Sequence, residues 1–227
     1  DSAALGGVRP GHDPVRGPRG RAARLTIAAT LRGHVPARVG RARAGAVSID
    51  SETGDLVAAA SAPSYDPKLF VRGISGADYR LLTEDPYRPL ASKTVQGVYP
   101  PGSTFKMITA MAALEAGMIG PEDTVWCPGY LQVAGRRFHC WSRGGHGHVN
   151  LENSLKRSCD VYYYDLALKV GIDRISDMAH RFGLGVRHDL PMSAVAEGLA
   201  PNRAWKQRTH GQDWLVGDTA NASIGQG

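Results

Sequence analysis

The sequence predicts an α/β (α+β) fold in which an antiparallel sheet is flanked by helices, and three observations carry that prediction. Two short apolar runs, residues 46–50 and 55–61, are separated by a turn-forming tetrapeptide, the pattern of a β-hairpin. A strongly apolar segment with three-to-four spacing begins just after Pro101-Gly102 and ends at Gly117, the pattern of a buried helix. Two more helix-length segments, 150–170 and 172–182, follow a loop-like stretch rich in Cys, Gly, His and Trp.

With 227 residues, 42% of them hydrophobic and 7% aromatic, the chain can bury a core of its own. The net charge of +6 is uneven. It comes from the Arg-rich stretch between Arg9 and Arg43, where Asp13 is the one acidic residue. No Lys/Arg stripe interleaved with aromatics occurs, which argues against nucleic acid as a partner. No run of about twenty apolar residues is present to cross a membrane, and no signal peptide opens the sequence.

Along the chain, residues 1–43 read as an amino-terminal arm or linker, with a short strand at 25–27 and a helical turn at 28–32. Residues 44–227 read as one domain. The hairpin turns at Ser51-Glu52-Thr53-Gly54, where Gly permits a positive φ, and Asp50 belongs to that turn. Residues 62–102, punctuated by Pro63, Pro67, Pro86, Pro89 and Pro100, form a long structured crossing. In the helix from Ser103, residues Phe105, Met107, Ile108, Met111, Ala112 and Leu114 mark a face buried at the domain centre. Residues 121–148 read as loop and 150–170 as a single helix with Asn150 as its N-cap. A further helix, 172–182, stops at Gly183, and 184–227 is mostly loop.

Ser103-Thr104-Phe105-Lys106 joins a tight turn to an apolar helix. Three residues apart, Ser103 and Lys106 share one helix face. Serine is a weak nucleophile until a neighbour takes its proton, and an amine one turn away can do so when burial disfavours its charged form. The backbone N–H of Ser103, at the positive end of the helix, can stabilise a developing oxyanion. An N-capping Ser and an ordinary first-turn Lys are the bland alternative. Against it, a Lys in the first turn opposes the helix dipole, and the remainder of the helix is almost wholly apolar.

Ser158-Cys159-Asp160 lies in the next strongly helical segment. A hydroxyl at Ser158 can relay a proton between an amine and a leaving group, and the Asp160 carboxylate can hold Lys106. Taken alone, the tripeptide reads more readily as helix surface.

The ordered set of segments resembles the transpeptidase domain of class B penicillin-binding proteins. The set comprises Gly45 to Asp50 with Thr53-Gly54, Ser61 to Pro67, Tyr99 to Lys106, Ser158 to Tyr164, and Ile224-Gly225-Gln226-Gly227. Trp205-Lys206 and Gly217-Asp218-Thr219 are similar to the penicillin-binding protein 2 subfamily, the elongation transpeptidases. That family pairs Ser-x-x-Lys with Ser-x-Asn and Lys-Thr-Gly, and here Asp160 stands where Asn is commoner. The resemblance implies a penicillin-binding/serine β-lactamase-like fold and a serine acyl-enzyme that crosslinks peptidoglycan stem peptides during wall elongation. Ser103 would be the nucleophile, Lys106 the base, Ser158 the relay and Asp160 the holder of Lys106, with β-lactams as inhibitors. It also implies a membrane glycosyltransferase and rod-complex proteins as partners, at the periplasmic face of the inner membrane. No Lys-Thr-Gly or Lys-Ser-Gly occurs in the sequence, so the domain is expected to be incomplete at its carboxyl end, and inactive or poorly folded there as it stands. The membrane anchor is expected outside it. A β-lactamase or β-lactam sensor on the same fold is the alternative enzyme reading; an inactive zinc-stapled fragment or scaffold is the alternative of another class.

Cys127, Cys140 and Cys159 cluster with His139, His146 and His148. Cys127, Cys140, His146 and Cys159 would make a closed Cys3His set of the structural-zinc type. The resemblance favours it, because some penicillin-binding protein 2 enzymes hold a zinc near the active site. A Cys127–Cys140 disulfide with Cys159 free, or three unlinked thiols, stays open. Trp141 is expected to pack, Tyr162, Tyr163 and Tyr164 to belong to the core, and Asp123 to face solvent.

Overall fold

The structure is a computed structural model that describes residues 43–71, 73–190, 192 and 194–227. The strand expected at 25–27 and the turn at 28–32 lie outside the described residues. The chain divides into two compact units, meeting in sequence between Leu90 and Ala91.

In the first unit, β1 (Ala44–Ile49) pairs antiparallel with β2 (Leu56–Ala62), from Ala44 opposite Ala62 to Ile49 opposite Leu56. Alternation in β2 buries Ala58, Ala60 and Ala62, as a half-buried strand requires. Asp50 closes the turn by accepting the N–H groups of Glu52 and Thr53 on Oδ1, and Gly54 takes φ +75°. Those N–H donors, Thr53 foremost and then Glu52, hold the Asp50 carboxyl below the ordinary carboxylate value. The expected crossing contains two helices, α1 (Lys68–Val71) and α2 (Gly76–Glu84). Ser75 caps α2 by accepting the Asp78 N–H, a local signal masked by the surrounding prolines.

The second unit is mainly helical. A 3-10 turn (Gly102–Phe105) runs into α3 (Lys106–Glu115). Two antiparallel ribbons follow. β3 (Val125–Cys127) pairs with β6 (Gly147–Val149), and β4 (Tyr130–Val133) pairs with β5 (Arg136–His139). Then come α4 (Leu151–Lys156), α5 (Asp160–Val170), α6 (Ile172–Arg181), α7 (Arg203–His210) and α8 (Val216–Ser223). The expected 121–148 loop thus holds four strands of three or four residues, too short for alternation to show in sequence. The expected 184–227 loop holds α7 and α8. Asn202 caps α7 through the Trp205 N–H, and Gly211 ends it in the left-handed region.

Helix α5, rather than α3, is the centre of this unit. It packs against α3, α6, α8 and the strands β3, β4 and β5, and buries Val161, Tyr162, Tyr163, Leu166, Ala167 and Val170. Full burial of each large apolar side chain contributes about 1.5–3 kcal/mol. The packed face of α3 is formed by Ile108, Ala110, Ala112 and Ala113, whereas Met107, Met111 and Leu114 are exposed. Small alanines let the helix backbones approach closely. Thr109 adds a buried link from α3 to α8, donating to Ser223 O at 2.8 Å. No described helix is long and apolar enough to cross a membrane.

Candidate active site

The expected single helix over 150–170 is broken, and the break builds the site. Asn150 caps α4 by accepting the Asn153 N–H. At the other end Ser158 N–H donates to Leu155 O and Cys159 N–H to Ser154 O, the two reversed bonds of a Schellman ending. That ending needs a left-handed residue, usually glycine, and here Ser158 adopts it with φ +50°. A non-glycine residue there costs about 1–2 kcal/mol, so tertiary contacts must hold it.

Those contacts come from Lys106, which is 1% exposed. Its Nζ donates to Ser158 O at 3.0 Å, to Ser158 Oγ at 3.0 Å and to Asp160 Oδ1 at 2.7 Å. It lies 5.6 Å from the centre of the Tyr163 ring. Asp160 opens α5, where a carboxylate also complements the helix dipole. Ser158 Oγ donates in turn to Ser103 Oγ at 3.1 Å. The four candidate catalytic residues therefore form one hydrogen-bonded line, Ser103 to Ser158 to Lys106 to Asp160.

Ser103 itself sits in the 3-10 turn, with the α-helix proper starting at Lys106, whose N–H bonds Ser103 O. The turn is fixed from behind by the carboxyl-terminal segment. Gly102 N–H donates to Gly225 O at 3.1 Å, and both glycines have positive φ. A Cβ on Gly225 would collide with the Gly102 backbone. This backbone contact required the tertiary fold to find; its trace in the sequence is the Gly-Gln-Gly run.

Cys127, Cys140, His146 and Cys159 come together, all buried, with their donor atoms within 4.8 Å of one another. His146 Nδ1 lies 3.7 Å from Cys127 Sγ and 3.4 Å from Cys140 Sγ. Tetrahedral zinc–sulfur and zinc–nitrogen bonds separate ligand atoms by about 3.5–3.8 Å, so the donor set fits such an ion. All three thiols are free, with no disulfide among them. Burial, then the Arg157 cation, hold His146 below the usual imidazole value and favour its neutral, ligating form. Burial pushes the Cys159 thiol well up. The loop is pinned by His146 N–H to Cys127 O at 3.0 Å and Arg157 Nη1 to His146 O at 2.9 Å. His139 and His148 stay outside the cluster, His139 against Tyr130 and His148 against Trp126.

The family profile described as the penicillin-binding protein transpeptidase domain matches residues 44–227. The chain belongs to the penicillin-binding protein transpeptidase family. It is 40% identical over 205 residues to peptidoglycan D,D-transpeptidase MrdA of Escherichia coli K12, covering 89% of this chain and 32% of that protein. Among solved structures it resembles Pseudomonas aeruginosa PBP2 in complex with WCK 5153, at 43% identity and a TM-score of 0.86, covering 89% of this chain and 45% of that one. It also resembles PBP2 of Helicobacter pylori in a complex with MreC, at 33% identity and a TM-score of 0.84, covering 87% and 37%. The chain spans about a third of the length of the curated relatives it matches. The penicillin-binding transpeptidase fold expected from the motifs is thereby shown.

In this member of the family the three tyrosines after Asp160 are buried in the core. Burial pushes the Tyr163 phenol up to about 12, and its OH lies 3.0 Å from Ser154 Oγ. Asp123 is exposed and accepts the Gly120 N–H. Lys206 pairs with Asp218, joining the two carboxyl-terminal segments that the sequence singled out, and Trp214 Nε1 donates to Thr219 Oγ1 of the second. Trp141 departs from expectation. Although its ring meets His146 edge-on it is mostly exposed, and both of its N–H groups are engaged: the backbone N–H donates to Asp160 Oδ2, and the indole N–H to Arg157 O and Ser158 O.

Proposed function

We propose that this chain is the acyl-transfer core of a peptidoglycan D,D-transpeptidase acting in cell-wall elongation. The observation that carries the reading is the unbroken line of hydrogen bonds from Ser103 Oγ through Ser158 Oγ to the buried Lys106 Nζ and Asp160. Ser103 Oγ attacks the penultimate D-Ala carbonyl of one stem peptide. The C–N bond to the terminal D-Ala breaks, and the serine proton passes by way of Lys106 and Ser158 to the departing amine. The amine of a second stem then attacks the ester, forms the crosslink and returns a proton to Ser103. Asp160 holds the Lys106 side chain against the Ser158 hydroxyl, which in turn bonds Ser103 Oγ. The Ser103 backbone N–H contributes oxyanion stabilisation. A β-lactam would enter the same first step and stay as a stable ester.

We also propose a structural zinc held by Cys127, Cys140, His146 and Cys159, supported by the donor separations and the neutral histidine. Because Cys159 lies between Ser158 and Asp160, that ion would tie the 127–146 ribbon to the catalytic turn. The proposed setting is the periplasmic face of the inner membrane. Its proposed partners are an MreC-like protein, other rod-complex proteins and a membrane glycosyltransferase. The experiment is intact-mass spectrometry after exposure to a penicillin, with Ser103→Ala alongside. One adduct that persists in the parent and vanishes in the variant is expected. An adduct that survives in S103A, or its prompt hydrolysis in the parent, would refute the assignment.

A further inference from the structure

We propose that Trp141 is a positioning residue for acyl transfer, holding Ser158 through its indole N–H and Asp160 through its backbone N–H. The inference rests on the acyl-transfer reading above. The Trp141 side chain is 66% exposed, so burial does not fix it. Its anchors are polar. Nε1 donates to Arg157 O at 3.0 Å and Ser158 O at 3.1 Å, and the backbone N–H donates to Asp160 Oδ2 at 2.9 Å. Lys106 Nζ donates to the same Ser158 carbonyl and to the other oxygen of the same carboxylate. Trp141 therefore bonds two of the three groups that accept from the proposed base, the Ser158 carbonyl and the Asp160 carboxylate.

The consequence lies in the backbone. The carbonyls of Arg157 and Ser158 follow the end of α4, where helical partners run out. Ser158 occupies a left-handed position that favours glycine, and in this conformation its Oγ reaches both Ser103 and Lys106. With the indole N–H removed, Lys106 alone restrains the Ser158 carbonyl, and the turn is free to relax toward ordinary φ. The Trp141 ring also meets the His146 ring edge-on at 5.4 Å, so simple packing is the rival explanation.

Two variants of the intact protein separate these roles. In Trp141→Phe a ring remains and the N–H is lost. In Trp141→His the imidazole overlays the five-membered part of the indole, and its Nε2–H stands where the indole N–H stood. Stopped-flow acylation by a fluorescent penicillin resolves the rate at saturation from the half-saturating concentration. The Phe variant is expected to slow the saturating rate about tenfold with half-saturation within about twofold, and the His variant to recover to within about threefold of the parent. An unchanged Phe variant overturns the inference. Equal losses in rate and unfolding midpoint in both variants assign the ring to packing and also overturn it, as does a loss confined to half-saturation. A parent protein that takes up no acyl group refutes instead the acyl-transfer reading on which the inference stands.

Discussion

Asp160→Ala tests the physical core of the site. The carboxylate accepts Lys106 Nζ at 2.7 Å on one oxygen and the Trp141 N–H at 2.9 Å on the other. Lys106 is 1% exposed, so the substitution leaves an ammonium out of water with only the carbonyl and hydroxyl of Ser158 as acceptors. Breaking a buried pair from one side costs about 3–5 kcal/mol, because the remaining charge stays uncompensated. For a domain of this size each kcal/mol moves the unfolding midpoint by about 2–4 °C, which predicts a fall of roughly 6–20 °C. The double-mutant cycle with Lys106→Met isolates the origin. Once the ammonium is gone, Asp160→Ala chiefly removes the Trp141 hydrogen bond, worth about 1.5–3 kcal/mol for a charged acceptor, while the loss against the helix dipole is common to both backgrounds. The coupling between the two positions is thus about 2 kcal/mol. Chemical denaturation of the four proteins provides the measurement. A loss below about 1 kcal/mol in D160A, or an equal loss with and without K106M, would refute the argument that charge burial holds this site together.

Other consequences are open to direct measurement. Gly225→Ala should reduce penicillin acylation more than about tenfold, because its Cβ meets the Gly102 backbone, whereas Gly54→Ala, with open space around it, should cost about 1 kcal/mol and leave acylation intact. Elemental analysis of the purified protein should find one zinc per chain, lost in Cys159→Ser and His146→Ala, and chelation should lower the parent's unfolding midpoint; a metal-free parent would overturn the zinc proposal. Asp50 titrates below the unfolded value of about 3.9 because the Thr53 and Glu52 N–H groups bond its charged form. Its contribution is therefore complete above that pH and is lost as pH falls through the lower folded value. Asp50→Asn should flatten the acid limb of hairpin stability, as read by amide exchange in β1 and β2; an unchanged limb would refute the turn's role.

The sequence by itself determined the features written in short-range chemistry. The β1–β2 hairpin was legible from two apolar runs around an Asp-rich, Gly-containing turn. The start of the helix that follows Ser103 was legible from Pro101-Gly102 and the apolar spacing after it. The Ser-x-x-Lys and Ser-x-Asp motifs, read in order, pointed to the family before any contact was known. Tertiary structure decided the rest. Arg157-Ser158-Cys159 carries no helix breaker, and at its left-handed turn Lys106 and Trp141 bond the Ser158 carbonyl from distant parts of the chain. The ribbons of β3 to β6 are too short to declare a period, and α7 and α8 are short helices whose caps were hidden among loop residues. Propensity and periodicity act over a few residues, whereas the hydrogen-bonded line from Ser103 to Asp160, the thiol cluster and the Gly102–Gly225 contact join segments tens of residues to more than a hundred residues apart. Only the packing of α5 against its neighbours brings those segments within hydrogen-bond range.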